Sequence, residues 1–155
     1  MKFGARSTAL EIVADHNLLG YNVIVTGGAT GIGIETVRAL ASKGAFVIIA
    51  TRDVEKAEQT AMKLRKETGN LYIEASFLDL SSLASVDSFV KRFLMRNKPL
   101  HILINNAGIA YAPLSYTHDG FESQFATNHI GHFALTMGLL PALIQAKAAR
   151  VIVLS

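Results

Sequence analysis

The stretch Thr26-Gly27-Gly28-Ala29-Thr30-Gly31-Ile32-Gly33 sets glycines at 27, 31 and 33 directly after the apolar run Val23-Ile24-Val25. Glycine is favoured wherever φ must be positive or two backbones approach closely, so a tight strand-to-helix turn is one explanation. A phosphate cradle is the other. Without a Cβ the backbone can approach a pyrophosphate, and the helix behind it offers free N–H groups and a positive dipole end. Spacing alone leaves both readings open, because it gains meaning only in a strand–turn–helix context. A second candidate, His129 and His132, has helical i, i+3 spacing. Zinc needs at least a third ligand and none is evident, so packing or solvent roles are expected and no metal site.

The elements that position these residues follow from periodicity. Continuous β-branched runs at Val23–Val25, Phe46–Ile49, Leu71–Phe77, Ile102–Ile104 and Val151–Leu154 predict strands buried on both faces. Between the first two, Ile32–Lys43 predicts a helix with Ile34, Val37 and Ala41 on one face and Gly44 as its stop. Asp53 can cap a second helix, in which Ala57, Ala61 and Leu64 recur before Gly69. Ser81 or Ser82 can cap a third, with Leu83, Val86, Val90 and Phe93 aligned and Pro99 beyond its end. A fourth helical stretch is expected from Gly120 to Leu140. Strict alternation implies βαβ units with right-handed crossovers, an α/β fold with a Rossmann-type doubly wound parallel sheet. In such a sheet the glycine turn lies at the carboxyl edge, and this context favours the phosphate cradle. Thr8-x-x-Glu11 reads as a capping box. Residues 1–20 are therefore read as a packed N-terminal extension and 21–155 as the dinucleotide-binding domain.

Composition narrows the function classes. The 155 residues suit one domain, and 50% hydrophobic against 17% charged residues favours a well-filled core over disorder. A net charge of +3 is scattered, and Glu58 and Glu67 dilute the densest basic group, Lys63, Arg65 and Lys66, so no nucleic-acid surface is expected. There is no cysteine to form a disulfide. Apolar runs such as Ala45–Ala50 fall well short of the roughly 20 residues a membrane span needs, so a soluble, cytoplasmic protein is expected.

Thr26-Gly27-x-x-x-Gly31-x-Gly33 is followed by Asp79-Leu80, by Asn105-Asn106-Ala107-Gly108, by Asn128 within "ATNHIGHF" and by "ARVIVLS". In that order these motifs resemble the short-chain dehydrogenase/reductase family. "FGARSTALEI", "TRD", "LHILINNAG" and "NHIGHF" are most similar to its retinol-dehydrogenase-like branch, which includes WW-domain oxidoreductases. The chain has no Trp and hence no WW domain. The resemblance implies an NAD(P)-dependent oxidoreductase interconverting an alcohol and a carbonyl. It makes Gly27, Gly31, Ile32 and Gly33 the receivers of the cofactor pyrophosphate. It makes Asp79, with Leu80 beside it, the acceptor for the adenine amino group, against a plain helix-capping role ahead of Ser81. Asn105, Ala107 and Gly108 would line the floor of the cleft, against an ordinary strand-ending turn. Asn128 corresponds to the catalytic Asn that holds a helix bend and a relay water.

Thr51 and Arg52 bear on cofactor choice. Folds selecting NAD place an acid at the end of the second strand, where it binds the ribose 2′-hydroxyl. Thr51 is neutral there, and the Arg52 guanidinium suits a 2′-phosphate, so NADP is expected over NAD. An exposed pair of Arg52 with Asp53 or Glu55 is the competing reading.

One departure matters. The family's acid/base is the Tyr of Tyr-x-x-x-Lys, since a phenol with pKa near 10 needs help to work at neutral pH. Tyr21, Tyr72, Tyr111 and Tyr116 are followed four positions later by Val25, Ser76, Ser115 and Gly120. Ser155 matches the neighbour of the family's catalytic Ser. The sheet is thus expected to be truncated after its fifth strand and the catalytic and substrate half to be absent. Two readings follow: the NADP(H)-binding portion of an oxidoreductase, inactive alone, or a complete short non-catalytic nucleotide-binding or interaction module. A methyltransferase on the same fold fits less well, because Asn-Asn-Ala-Gly has no explanation there. A retinoid, steroid or other lipid substrate is implied only by branch analogy, and homo-oligomer formation is left open.

Overall fold

The computed structural model describes residues 3–4 and 6–154. Its elements run α1 (Ala9–Ile12), β1 (Asn22–Thr26), α2 (Gly31–Ser42), β2 (Phe46–Thr51), α3 (Val54–Thr68), β3 (Ile73–Phe77), α4 (Leu83–Leu94) and β4 (Ile102–Asn105). Then come α5 (Ser123–Phe125), a π turn (Ala126–Ile130), α6 (Gly131–Gly138), α7 (Leu140–Gln145) and β5 (Arg150–Val153). All five strands are parallel in the order β3-β2-β1-β4-β5, with Val23 opposite Val47 on one side and Ile102 on the other.

The doubly wound architecture follows from which side chains each strand sends to which face. Val23, Val25, Val47 and Ile49 point to the layer of α2 and α3, where they meet Val37, Ala57, Ala61 and Leu64. Ile24, Ile48 and Leu103 point the other way, onto Val86, Phe89 and Phe93 of α4, Leu135 of α6 and Leu143 of α7. Each fully buried Ile or Leu of this kind contributes about 1.5–3 kcal/mol, which is why the strands at the centre carry almost no polar side chain. β1, β2 and β4 are buried along nearly their whole length, as continuous apolar runs require.

Local signals place the helices. The Asp53 carboxylate accepts the Lys56 N–H at 3.0 Å to start α3, and Gly69 ends it at φ +70°. Ser82, not Ser81, caps α4 by accepting from the Ser85 N–H at 3.3 Å. Thr8 and Glu11 form the anticipated capping box of α1. The α1 end is tied to α2 by the Lys43 ammonium donating to the Ala14 carbonyl at 2.7 Å.

Three expectations are corrected. β3 begins at Ile73, because the Asn70 side chain accepts the Tyr72 N–H and bends residues 70–72 into a turn. β5, an outer strand paired with β4, is exposed throughout, whereas the other outer strand, β3, is partly covered. The stretch from Gly120 to Leu140 is not one helix. Gly120 adopts φ +83° in a turn, Glu122 caps α5, and the π turn and the α6–α7 break at Leu139 interrupt the rest.

Candidate functional site at the carboxyl edge

The sheet order reverses direction at β1 and β4, and a crevice opens outside the carboxyl ends of these strands. It is a cleft of about 350 Å³ lined by Gly27, Thr30, Ile32, Gly33, Ala50, Thr51, Arg52, Leu78, Asp79, Leu80, Asn106, Ala107, Gly108, Ile109 and Thr127. The structure thus brings together Gly27, Ile32, Gly33, Thr51, Arg52, Asp79, Leu80, Ala107 and Gly108 around one space. Gly31 stands beside it, while Asn105 and Asn128 line a neighbouring cavity between α6 and β5.

The glycines do different work. Gly27 has φ +66°, and a Cβ there would lie 3.0 Å from the Ala107 Cα. A Cβ on Gly33 would drive into the Gly27 carbonyl, so α2 can start this close to β1 only with glycine at 33. Gly31 has φ +55° and open space before it, as a backbone requires that is to be approached by a ligand. Thr30, the N-cap residue of α2, offers no side-chain bond, which leaves the first N–H groups of the helix uncapped.

Beneath the cleft, Thr26 ends β1 fully buried. Its hydroxyl oxygen accepts the N–H groups of Asn106 and Ala107, each at 2.9 Å. The Asn106 amide in turn donates to the Thr26 carbonyl at 2.9 Å. These bonds lock the Asn105–Gly108 turn to the glycine turn. Asn105, only 3% exposed, donates to Thr136 at 3.1 Å, and its Oδ1 has no donor among the described residues.

At the rim Thr51 is occupied locally, accepting the Asp53 N–H at 3.3 Å. Arg52 is exposed and, among the described residues, forms no ion pair; Asp53 is engaged as a helix cap instead. Asp79 Oδ1 accepts from the Ser81 N–H at 2.9 Å and the Ser81 hydroxyl at 2.6 Å, while its Oδ2 makes no hydrogen bond to the described residues. It therefore shapes the turn ahead of α4 without being that helix's cap.

Asn128 lies inside the π turn, where the Gly131 N–H bonds back to the Ala126 carbonyl. Its side chain clasps the backbone of one residue: Oδ1 accepts the Ile109 N–H and Nδ2 donates to the Ile109 carbonyl, both at 2.9 Å. A single extra residue in the turn bends the helix so that Asn128 faces the Gly108–Ile109 segment. Gly131 lets the start of α6 pack directly on the Leu80 carbonyl, which a Cβ there would strike. The Glu122 carboxylate, bonded by the N–H groups of Gln124 and Phe125, is held below its ordinary pKa.

Sequence reasoning placed His129 and His132 in packing or solvent roles. His129 is exposed and stacks on Phe125 with ring centroids 5.2 Å apart. His132 is 4% exposed, with Nε2 2.9 Å from Thr26 Oγ1 and Nδ1 3.1 Å from the Asn128 carbonyl. Burial pushes its pKa below the usual imidazole value, against a smaller opposing effect of the Asn128 carbonyl. The site roles of Thr26, Asn106 and His132 were not anticipated; His132 is signalled only by its i, i+4 spacing from Asn128. No group of three or more His, Cys, Asp or Glu arranged to hold a metal occurs among the described residues. No helix among them is long and apolar enough to cross a membrane. Ser155 lies outside the described residues.

Sheet order, crossovers and a glycine turn at the switch point define a Rossmann-type α/β domain. The chain belongs to the short chain dehydrogenase family, whose sequence profile matches residues 21–155. It is 51% identical over 136 residues to "Retinol dehydrogenase 12" of Mus musculus, covering 88% of this chain and 43% of that protein. To "WW domain-containing oxidoreductase" of Gallus gallus it is 41% identical over 99% of this chain and 37% of the relative. Among solved structures, the "Pseudomonas aeruginosa RhlG/NADP active-site complex" superposes with a TM-score of 0.71 at 34% identity, over 84% of this chain and 50% of that one. The chain spans less than half the length of both curated relatives.

Proposed function

We propose that the chain is the NADP(H)-binding portion of a short-chain oxidoreductase that interconverts an alcohol and a carbonyl, with residues 21–155 as the binding unit and 1–20 as an extension. The observation that carries the reading is the cleft at the switch point. Its floor carries Gly27 and Gly33, where a Cβ would collide with neighbouring backbone, and its rim carries Arg52, without an ion pair among the described residues, beside a neutral Thr51. These residues fit a dinucleotide: Gly27, Gly31, Ile32 and Gly33 receive the pyrophosphate at the start of α2, and Arg52 meets the 2′-phosphate. Asp79, through the Oδ2 that bonds none of the described residues, accepts from the adenine amino group, with Leu80 against the ring. Asn105, Ala107 and Gly108 hold the floor, and Asn128 orders the bend next to the reacting end.

When bound, the nicotinamide supplies or takes the hydride. The chain itself contributes binding and orientation, and it contains no Tyr-x-x-x-Lys to move the proton at the carbonyl oxygen. A retinoid, steroid or other lipid is the proposed substrate class, by analogy with the relatives' names. Calorimetric titration tests the reading: NADPH should bind saturably and more tightly than NADH, and equal affinities would remove the assigned role of Arg52.

A further inference from the structure

The protons along Thr26, His132 and Asn128 can be counted one by one. A threonine hydroxyl has two acceptor lone pairs and one proton. The N–H groups of Asn106 and Ala107 occupy both lone pairs of Thr26 Oγ1. Its proton has two acceptors in reach, the Ile104 carbonyl at 3.4 Å and His132 Nε2 at 2.9 Å, and the shorter contact is to the ring. Nε2 is then bare, so Nδ1 carries the ring proton and donates it to the Asn128 carbonyl at 3.1 Å. The backbone of His132 is fixed as well, because the Thr136 hydroxyl donates to its carbonyl at 2.8 Å and accepts from Asn105 at 3.1 Å.

We infer that His132, held as the neutral Nδ1–H tautomer, is a positioning residue that pins the Asn128 π turn to the end of β1. It thereby keeps Asn128 in register with the Asn106–Ala107 floor of the cleft. The functional weight of that register rests on the dinucleotide reading above; the geometry does not. A second proton on the ring would enter at Nε2 and point at an oxygen whose lone pairs are already filled, so the cation breaks the chain. Among the described residues lining this cavity no carboxylate compensates it. The surrounding elements contribute Thr26 from β1, Asn105 from β4, Thr136 from α6, and Val151 and Val153 from β5. His129, the other titratable group lining this cavity, is exposed, and Asp79, on the loop against Gly131, has its Oδ1 engaged by Ser81.

NMR of the chain labelled at the histidine nitrogens reads the tautomer directly. His132 should show a protonated Nδ1 and a bare Nε2, and should stay neutral below the free-imidazole pKa of about 6.5. An Nε2–H tautomer, or a cation at neutral pH, overturns the inference. Two variants separate positioning from filling. His132→Asn keeps a donor near Nδ1 but loses volume, whereas His132→Phe keeps volume and loses the donor. Positioning predicts that the Ile109 amide and the Asn128 side-chain resonances move more in the Phe variant. It also predicts that NADPH binding weakens by roughly threefold to tenfold there and less in the Asn variant. The reverse ranking marks a mere filler and overturns the inference. If NADPH fails to bind the unmodified chain, the cofactor reading falls, while the tautomer and the Asn128 resonances still decide the role of His132.

Discussion

Replacing Gly33 and Gly31 by alanine separates the two duties of the glycine turn. At Gly33 an added Cβ would overlap the Gly27 carbonyl and lie 2.8 Å from Asn106 Nδ2 and 2.9 Å from the Gly28 Cα. Two of these three atoms are backbone, so relief requires α2 to move away from β1. Overpacking of this kind costs about 1–3 kcal/mol, and the backbone contacts argue for the upper end. At Gly31 the Cβ meets nothing within 4 Å, and the cost is the left-handed conformation at φ +55°, about 1–2 kcal/mol. Urea unfolding measures both. With a slope of about 1–3 kcal/mol per M, Gly33→Ala should lower the midpoint by about 1 M or more, and Gly31→Ala by less. NADPH titration then adds the second axis. Both variants should lose affinity, Gly31→Ala because its Cβ occupies the space through which the pyrophosphate approaches. A Gly33→Ala protein with an unchanged urea midpoint would refute the packing argument, and full NADPH affinity in Gly31→Ala would refute the cradle.

Arg52→Ala should weaken NADPH far more than NADH in calorimetry. A charge-assisted contact is worth about 1.5–3 kcal/mol, and the exposure of Arg52 puts the expected loss at or below the lower end. Burial lowers the pKa of both His101 and His132, and His101 Nδ1 must be bare to accept the Asn22 N–H at 3.0 Å. The unfolded chain therefore takes up these protons first. Their contribution is complete above pH ~6.5 and is lost as the pH falls from there toward the lower folded values, so urea midpoints should decline across that window; a flat profile contradicts it. Among the described residues no strand pairs with the outer side of β5, and Val153 is 66% exposed, so this chain should associate in sedimentation velocity, whereas a sharp monomer would count against this. Finally, aldehyde-dependent NADPH oxidation over retinal and simpler aldehydes should stay at background for this chain. Turnover abolished by Asn128→Ala would contradict this and require another acid in the chain.

Local chemistry made much of this legible from sequence. β1, β2 and β4 announce themselves because strands buried on both faces are continuous apolar runs, and Asp53, Ser82 and Gly69 mark helix ends by side-chain or backbone chemistry confined to a few residues. Within the cleft lining the glycine turn was legible for the same reason, whereas Asp79, Leu80, Ala107 and Gly108 were placed there only by the resemblance to the short-chain dehydrogenase/reductase family. What escaped depends on distant partners. The π turn at Ala126–Ile130 has no local signature beyond an Asn in a helix; a bend at Asn128 was expected only through the family resemblance, and the Asn128 side chain is held by the distant Ile109 backbone. Periodicity ran straight through it, which is why one long helix was expected. His132 read only as one of a pair in packing or solvent roles, because its partner Thr26 lies 106 positions away along the chain.

The most direct test is amide-resonance mapping of the chain titrated with NADPH. Binding in the cleft should give saturable shifts concentrated at Gly27–Gly33, Thr51–Arg52, Asp79–Leu80 and Asn105–Gly108, with the opposite end of the sheet around Leu19 and Tyr72 unmoved. Absence of saturable shifts, or shifts confined to the Leu19 and Tyr72 end, would contradict it.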